Sequence, residues 1–224
     1  MDLPYAERTT TMDEPVAARV AYDRIAAHFS LTREHPWPEV ETFLSERSGN
    51  VSLDLGCGNG RHAEVLAERS RRTVGIDASR AMLEEARSRA RDRRFSLDLL
   101  VGDVRNVPLS ADTVDLAVYV ATIHHLSSRT DRIRSLDELA RVLHPDGRAL
   151  VSAWSTDHER FDEDRAFDTY LDWTLPDGET VSRFYHIYSP SSFERELAAS
   201  TLVPLETFVS SGNCYAVVGT EAPV

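Results

Sequence analysis

Three glycines at alternate positions, Gly56, Gly58 and Gly60, follow the apolar run Leu53-Asp54-Leu55 without a spacer, and a helical pattern starts at Arg61. A strand that passes straight into a helix through residues without side chains lets backbone approach a ligand. The chemistry this suits is the holding of a nucleotide-like cofactor. A second apolar run, Thr73 to Ile76, ends in Asp77, twenty-one residues after Gly56, where an acid accepts both hydroxyls of an adenosine ribose. A third, Leu97 to Val101, runs into Gly102-Asp103, an acceptor for an adenine amino group beside the apolar Val104. The spacing Gly-x-Gly-x-Gly and the acid Asp54 just before the turn argue against a pyrophosphate, whose charge an acid repels. A cationic cofactor fits better.

An open α/β sheet is needed to carry these strand ends. Val51–Leu55 reads as a strand and Arg61–Arg69 as the helix after it, followed by helix Ser79–Arg93, strand Val114–Val120 and helix Arg132–Leu143. That helix is expected to end at His144-Pro145-Asp146-Gly147, with Gly147 opening strand Ala149–Trp154. Ahead of the sheet, Met1–Thr11 reads as a loose tail and Glu14–Phe29 as a helix with Pro15 in its first turn. A proline-bracketed segment, Ser30 to Pro38, leads to a helix near Glu39–Arg47, so residues 1–48 form a cap over the cofactor side. Residues 155–200 read as a substrate-side insertion: a charged helix over Phe161–Trp173, a turn at Leu175-Pro176-Asp177-Gly178, an extended stretch Thr180–Tyr188 and a helix from Ser189-Pro190. Strands Leu202–Val209 and Tyr215–Gly219 close the chain as a hairpin, and residues 1–224 make a single domain.

Composition narrows the class. The chain has no apolar run of membrane-spanning length and no signal peptide, and Cys57 and Cys214 alone provide neither a disulfide framework nor metal-ligand spacing. A soluble cytoplasmic protein without a structural metal is expected. All 25 basic residues are arginine, set against 37 acidic residues for a net charge of −12. A dense carboxylate surface suits concentrated salt, where the Debye length shrinks to about 3 Å at 1 M; arginine-favouring codons are the plainer alternative for the missing lysines. A nucleic-acid partner is compatible with this charge if stacking and specific arginine contacts hold it.

The glycine turn with Asp54, Asp77 and Asp103, spanning Val51 to Trp154, resembles the class I S-adenosylmethionine-dependent methyltransferases. That resemblance implies a Rossmann-like fold with a mostly parallel seven-stranded sheet, an antiparallel final strand and helices on both faces. It also implies S-adenosyl-L-methionine as cofactor, with Tyr22, Ala78, Val120 and His125 against it. Tyr22-Asp23-Arg24-Ile25-Ala26, Phe29-Ser30-Leu31-Thr32-Arg33 with Pro36-Trp37-Pro38, Ile123-His124-His125, Arg183-Phe184-Tyr185-His186 and Gly212-Asn213 are similar to a narrower family. These are the tRNA wobble-uridine methyltransferases that esterify 5-carboxymethyluridine, which include the methyltransferase domain fused to an AlkB-type hydroxylase in animals. The resemblance implies a tRNA substrate, and a small zinc-binding activator protein docked on the edge strand Ser96–Val101 and the neighbouring helix.

Methyl transfer from a sulfonium is an in-line displacement, in which positioning does most of the work. A carboxylate acceptor is already ionised and needs no general base. The site then needs arginine to seat the carboxylate and aromatic surfaces for the base, supplied by Arg33, Arg183, Tyr185, Trp154 and Trp37, with His124 and His186 as further substrate contacts. His124 and His125, adjacent at a strand end, are expected to point to opposite sides and to hold no metal. Two rivals stand beside this reading: a small-molecule O- or N-methyltransferase with His124 or His125 as base, and an inactive cofactor-binding partner subunit.

Overall fold

The computed structural model describes residues 14–221, and the tail expected over Met1–Thr11 lies outside them. The elements run α1 (Glu14–Leu31), α2 (Pro38–Leu44), β1 (Gly49–Leu55), α3 (Arg61–Ala67), β2 (Ser70–Asp77), α4 (Arg80–Arg93), β3 (Asp98–Val101) and β4 (Val114–Val120). A 3-10 turn at Ile123–His125 precedes α5 (Arg129–Val142), β5 (Leu143–Trp154), β6 (Phe167–Thr174), β7 (Thr180–Ile187), α6 (Pro190–Leu197), β8 (Val203–Ser210) and β9 (Asn213–Gly219). The sheet order is β3-β2-β1-β4-β5-β9-β8, parallel except for β9, which runs antiparallel to both neighbours. Strands sandwiched between helices are buried on both faces, which is why Leu53, Leu55, Val74, Ile76, Ala117 and Tyr119 form near-continuous apolar runs. On one face they meet Leu136, Leu139, Phe193 and Leu197 of α5 and α6; on the other, Val118, Leu150 and Tyr215 meet Val40, Phe43 and Leu44 of α2.

The chain starts its sheet in the middle and turns back between β1 and β4, so a crevice opens at their carboxyl ends. The glycine turn, Asp77, Asp103 and the 3-10 turn all follow strands at that end.

Two local expectations fail for identifiable reasons. The strand does not wait for Gly147 but begins at Leu143; Val114 pairs with Leu143 and Leu116 with Arg148, so His144 to Gly147 form a bulge within β5. The helix expected over Phe161–Trp173 is replaced from Phe167 on by β6, paired antiparallel with β7 as a separate two-stranded sheet. Its sequence alternates: Phe167, Thr169, Leu171 and Trp173 are turned inward while Asp168, Tyr170, Asp172 and Thr174 are exposed, the period of a strand. This hairpin packs on α1 and on the 3-10 turn, and together with α1 it roofs the crevice.

Candidate active site

Gly56, Gly58 and Gly60 all have positive φ, at 74°, 52° and 76°. A Cβ on Gly56 would lie 2.4 Å from the Thr122 side chain, so only glycine lets the end of β1 close on the end of β4. The Gly58 amide donates to Asp77 Oδ2 and the Ser79 amide to Asp77 Oδ1, both at 2.8 Å. Each carboxylate oxygen keeps a lone pair, enough for two vicinal hydroxyls. Burial pushes the Asp77 carboxyl up, against the pull of those amides. Ser79 also caps α4 and donates to Asp23 of α1 at 2.7 Å, fastening the roof beside the ribose acid.

Gly56, Gly58, Asp77, Ser79 and Thr122 wall an open cleft of about 990 Å³, its mouth included, which Tyr22, Ala78, Asp103, Val104, Val120 and His125 also line. Asp103 is gripped by Arg105 through both oxygens, at 2.6–3.1 Å, and Arg105 reaches Asp131 as well. Burial alone would raise Asp103, but these bonds outweigh it and hold the carboxyl below the usual range. Asp54 and Gly60 were expected at the cofactor and lie behind the wall instead. Gly60 serves the close approach of α3 to α4, since a Cβ there would meet Ala86 at 3.2 Å. Asp54 is 1% exposed with Oδ2 unpartnered, and burial pushes its carboxyl up to about 7.

Beside the cleft lies a second constellation. Arg183, 8% exposed, stacks on Trp173, Tyr185 and Tyr22 with its guanidinium carbon 5.0–5.8 Å from the ring centres. Among the described residues its Nε has no partner, and its one side-chain hydrogen bond, to the Tyr22 hydroxyl, is a long 3.4 Å. Arg33 lies over Phe29 and the same Trp173, at 5.4 and 5.6 Å. Its only side-chain hydrogen bonds run to Thr32, so neither arginine pairs with a carboxylate among the described residues. Trp154 and His124 close the group around Tyr185, at 5.2 and 4.9 Å between ring centres. Trp173, hidden by the helix reading of its segment, was the missed member; its partners became visible only with the hairpin.

His124 and His125 stand on the 3-10 turn rather than at a strand end, both buried, with rings 4.5 Å apart. His125 Nδ1 is 2.9 Å from the Phe184 carbonyl, which can only accept, so the proton sits on Nδ1 and Nε2 accepts from the Tyr22 hydroxyl at 2.8 Å. His124 Nδ1 accepts from the Trp154 amide at 3.2 Å. Burial pulls His125 down to about 4 and His124 well below the ordinary imidazole value. Each ring's basic nitrogen is therefore spent inside the protein. A general base is hard to find here.

A family model described as a methyltransferase domain matches residues 53–151. The mouse protein named tRNA (carboxymethyluridine(34)-5-O)-methyltransferase ALKBH8 is 36% identical over 139 residues, 62% of this chain and 20% of that protein. A Saccharomyces cerevisiae protein named tRNA (carboxymethyluridine(34)-5-O)-methyltransferase is 34% identical over 160 residues, 69% of this chain and 55% of that one. By these matches the chain is similar to S-adenosylmethionine-dependent methyltransferases. It spans about a fifth to about half the length of these two relatives. Among solved structures, the DhpI–SAH complex superposes with TM-score 0.72 at 18% identity, covering 95% of this chain and all of that one. A putative methyltransferase in complex with the Haloferax volcanii Trm112 methyltransferase activator gives 0.66 at 17% identity, covering 92% of this chain and 99% of the other.

The methyltransferase cofactor is S-adenosylmethionine, and the cleft suits it: a glycine cradle, an acid with two free lone pairs for the ribose, and behind the turn Asp54, one oxygen unpartnered, whose ionised form favours a cation in front. Cleft residues that the sequence reading missed include Arg61, Met82 and Thr122. Two substrate candidates fall outside. Trp37 packs between His62 and Tyr215 on the α2 side of the sheet. His186, one residue beyond Tyr185, is turned by strand alternation to the other side of β7, where Nδ1 meets Asp168 at 2.5 Å.

Proposed function

We propose that this methyltransferase forms the methyl ester of 5-carboxymethyluridine at the wobble position of tRNA. The observation that carries the reading is Arg183: a buried guanidinium with an unpartnered Nε and no carboxylate partner among the described residues. A buried cation is costly unless paired, so its place calls for an anion from outside. The curated names of the relatives supply which anion, a nucleoside carboxylate.

When bound, S-adenosylmethionine supplies a methyl group on a positively charged sulfur. Arg183 grips the substrate carboxylate through its planar fork, with the Tyr22 hydroxyl beside it, and so fixes one oxygen for in-line attack. Tyr185, Trp154 and Trp173 exclude water and give the uracil ring surfaces to stack on. No proton has to move, in keeping with two histidines whose basic nitrogens are already engaged. The test is methyl transfer to tRNA bearing 5-carboxymethyluridine. Arg183→Lys and Arg33→Lys should each lose well over tenfold with cofactor binding nearly constant, and His124→Asn should lose less. Collapse in the histidine variant with both arginine variants active would favour a small-molecule acceptor and a histidine base.

For a partner, β3 is the edge of the sheet, pairs only with β2 and exposes Leu100 and Val101 at 37% and 48%. An unguarded edge invites strand addition, and we assign it, with the neighbouring helix, to the small zinc-binding activator protein that the resemblance implies; a methyltransferase activator is present in the Haloferax complex. Full turnover by the purified chain alone would refute that assignment. No helix among the described residues is long and apolar enough to cross a membrane; we place the reaction in the cytoplasm, and we read the acidic, lysine-free surface as an adaptation to concentrated salt.

A further inference from the structure

We propose that Asn59 is a positioning residue: its side-chain amide fixes the backbone at Arg33, so that the glycine turn of the cofactor cleft also sets where a carboxylate-gripping guanidinium stands. The proposal rests on the tRNA reading above, in which Arg33 meets the acceptor. The Arg33 guanidinium is poorly anchored by itself. It lies over Phe29 and Trp173 without a counter-ion among the described residues, and its side-chain hydrogen bonds run only to Thr32, on its own loop. The like charge of Arg61 is near enough to push against it. Its place beside the cleft is therefore set by its backbone.

That backbone has little support of its own. Thr32 to Trp37 form neither helix nor strand, and the Arg33 amide closes on the end of α1 through a bond to the Ser30 carbonyl at 3.3 Å. On its other side the Arg33 carbonyl accepts from Asn59 Nδ2 at 2.9 Å, its only donor among the described residues. Asn59 stands between Gly58 and Gly60, both at positive φ, and is 4% exposed. The bond is thus uncharged and shielded from water. One residue on, Arg89 donates to the Glu34 carbonyl and Arg93 to the Glu34 carboxylate at 2.8 Å, but the second of these pairs is about half exposed and holds the chain weakly. Of side chains this short, asparagine presents an N–H where aspartate would set a second acceptor against the carbonyl.

The test is binding of an anticodon stem-loop carrying 5-carboxymethyluridine, and of the same stem-loop with unmodified uridine, to chain saturated with S-adenosylhomocysteine, which has no methyl group to transfer. Wild type should bind the acid form about tenfold more tightly, and Arg33→Ala should lose most of that preference. Asn59→Ala should lose roughly threefold of it while its affinity for S-adenosylhomocysteine stays within about twofold, and Asn59→Ser, which keeps a donor of shorter reach, should fall between. In the Arg33→Ala background, Asn59→Ala should cost nothing further, because a residue that acts through Arg33 then has nothing left to place. Thermal unfolding checks that each variant is folded. Additive losses in the double variant would overturn the proposal, as would a fall in S-adenosylhomocysteine affinity equal to the fall in preference, which would make Asn59 a part of the cofactor cradle alone. A wild-type chain without preference for the acid would refute the tRNA reading itself, and the proposal would fall with it.

Discussion

Replacing Asp54 by Asn should make the cofactor-free protein more stable at alkaline pH and a poorer binder of its cofactor. Asp54 is fully buried with an unpartnered oxygen, and its carboxyl is pushed up to about 7 from a reference of 3.8. Because the folded state holds this proton more tightly, the group's contribution to stability is complete below pH 4 and is lost as pH rises through 7. Between pH 5 and pH 7 the loss accumulates at about 1.36 kcal/mol per unit, or roughly 3 kcal/mol, and it levels off above that. Asn carries no such term. The stability gain of Asp54→Asn over wild type should therefore grow by about 2–3 kcal/mol from pH 5 to pH 8, roughly 5–10 °C in melting temperature for a chain of this size. Taking the difference between the two proteins cancels the titrating groups that do not interact with Asp54; Asp77 and Arg61, which do, leave only a remainder of their coupling. Thermal unfolding of both at the two pH values is the assay. A melting difference that stays constant would refute the claim that Asp54 is a buried acid without a counter-ion. Cofactor binding near pH 6.5 should release a proton in the wild type and not in the variant, seen as a buffer-dependent heat.

Asp77→Ala should weaken S-adenosylmethionine binding at least tenfold, since it removes two hydrogen bonds to a charged acceptor worth about 1.5–3 kcal/mol each; unchanged affinity by calorimetry would rule out the pocket geometry. The same change should lower the melting temperature, because the Gly58 and Ser79 amides lose their acceptor. Thermal stability should rise between about 0.1 M and 2 M potassium chloride as the screening length falls from about 10 Å to under 3 Å. A flat response would leave codon preference as the account of the missing lysines.

The parallel sheet was legible because buried strands read as apolar runs, and the glycine turn because it sits between one such run and a helix. The acids at the ends of β2 and β3 were legible by position, but their bonding was not: that Asp103 is held by Arg105 depends on a side chain two residues on folding back. The β6 strand was hidden by the charged stretch Asp157 to Arg165 just before it, which lent a helical look to a segment whose own pattern alternates. With β6 went Trp173, the surface on which both candidate arginines lie. Trp37 shows the opposite error, an aromatic beside a proline-bracketed loop that packs in the core of the far face.

Several of the links that join α1 to the β6–β7 hairpin, directly or through His125, have one property in common. Tyr22 to His125, His125 to the Phe184 carbonyl, and Trp173 Nε1 to His28 Nδ1 all join uncharged groups. Ions in solution weaken attractions between exposed charges and leave such bonds nearly untouched. Arg24 and Glu179, the ionic link between the same two pieces, is about half exposed and is the one that brine would loosen. The protein thus divides its response to its medium: a carboxylate-rich exterior whose repulsion varies with ionic strength surrounds a roof whose closure does not, and the grip on the cofactor should hold its setting from dilute buffer to strong salt.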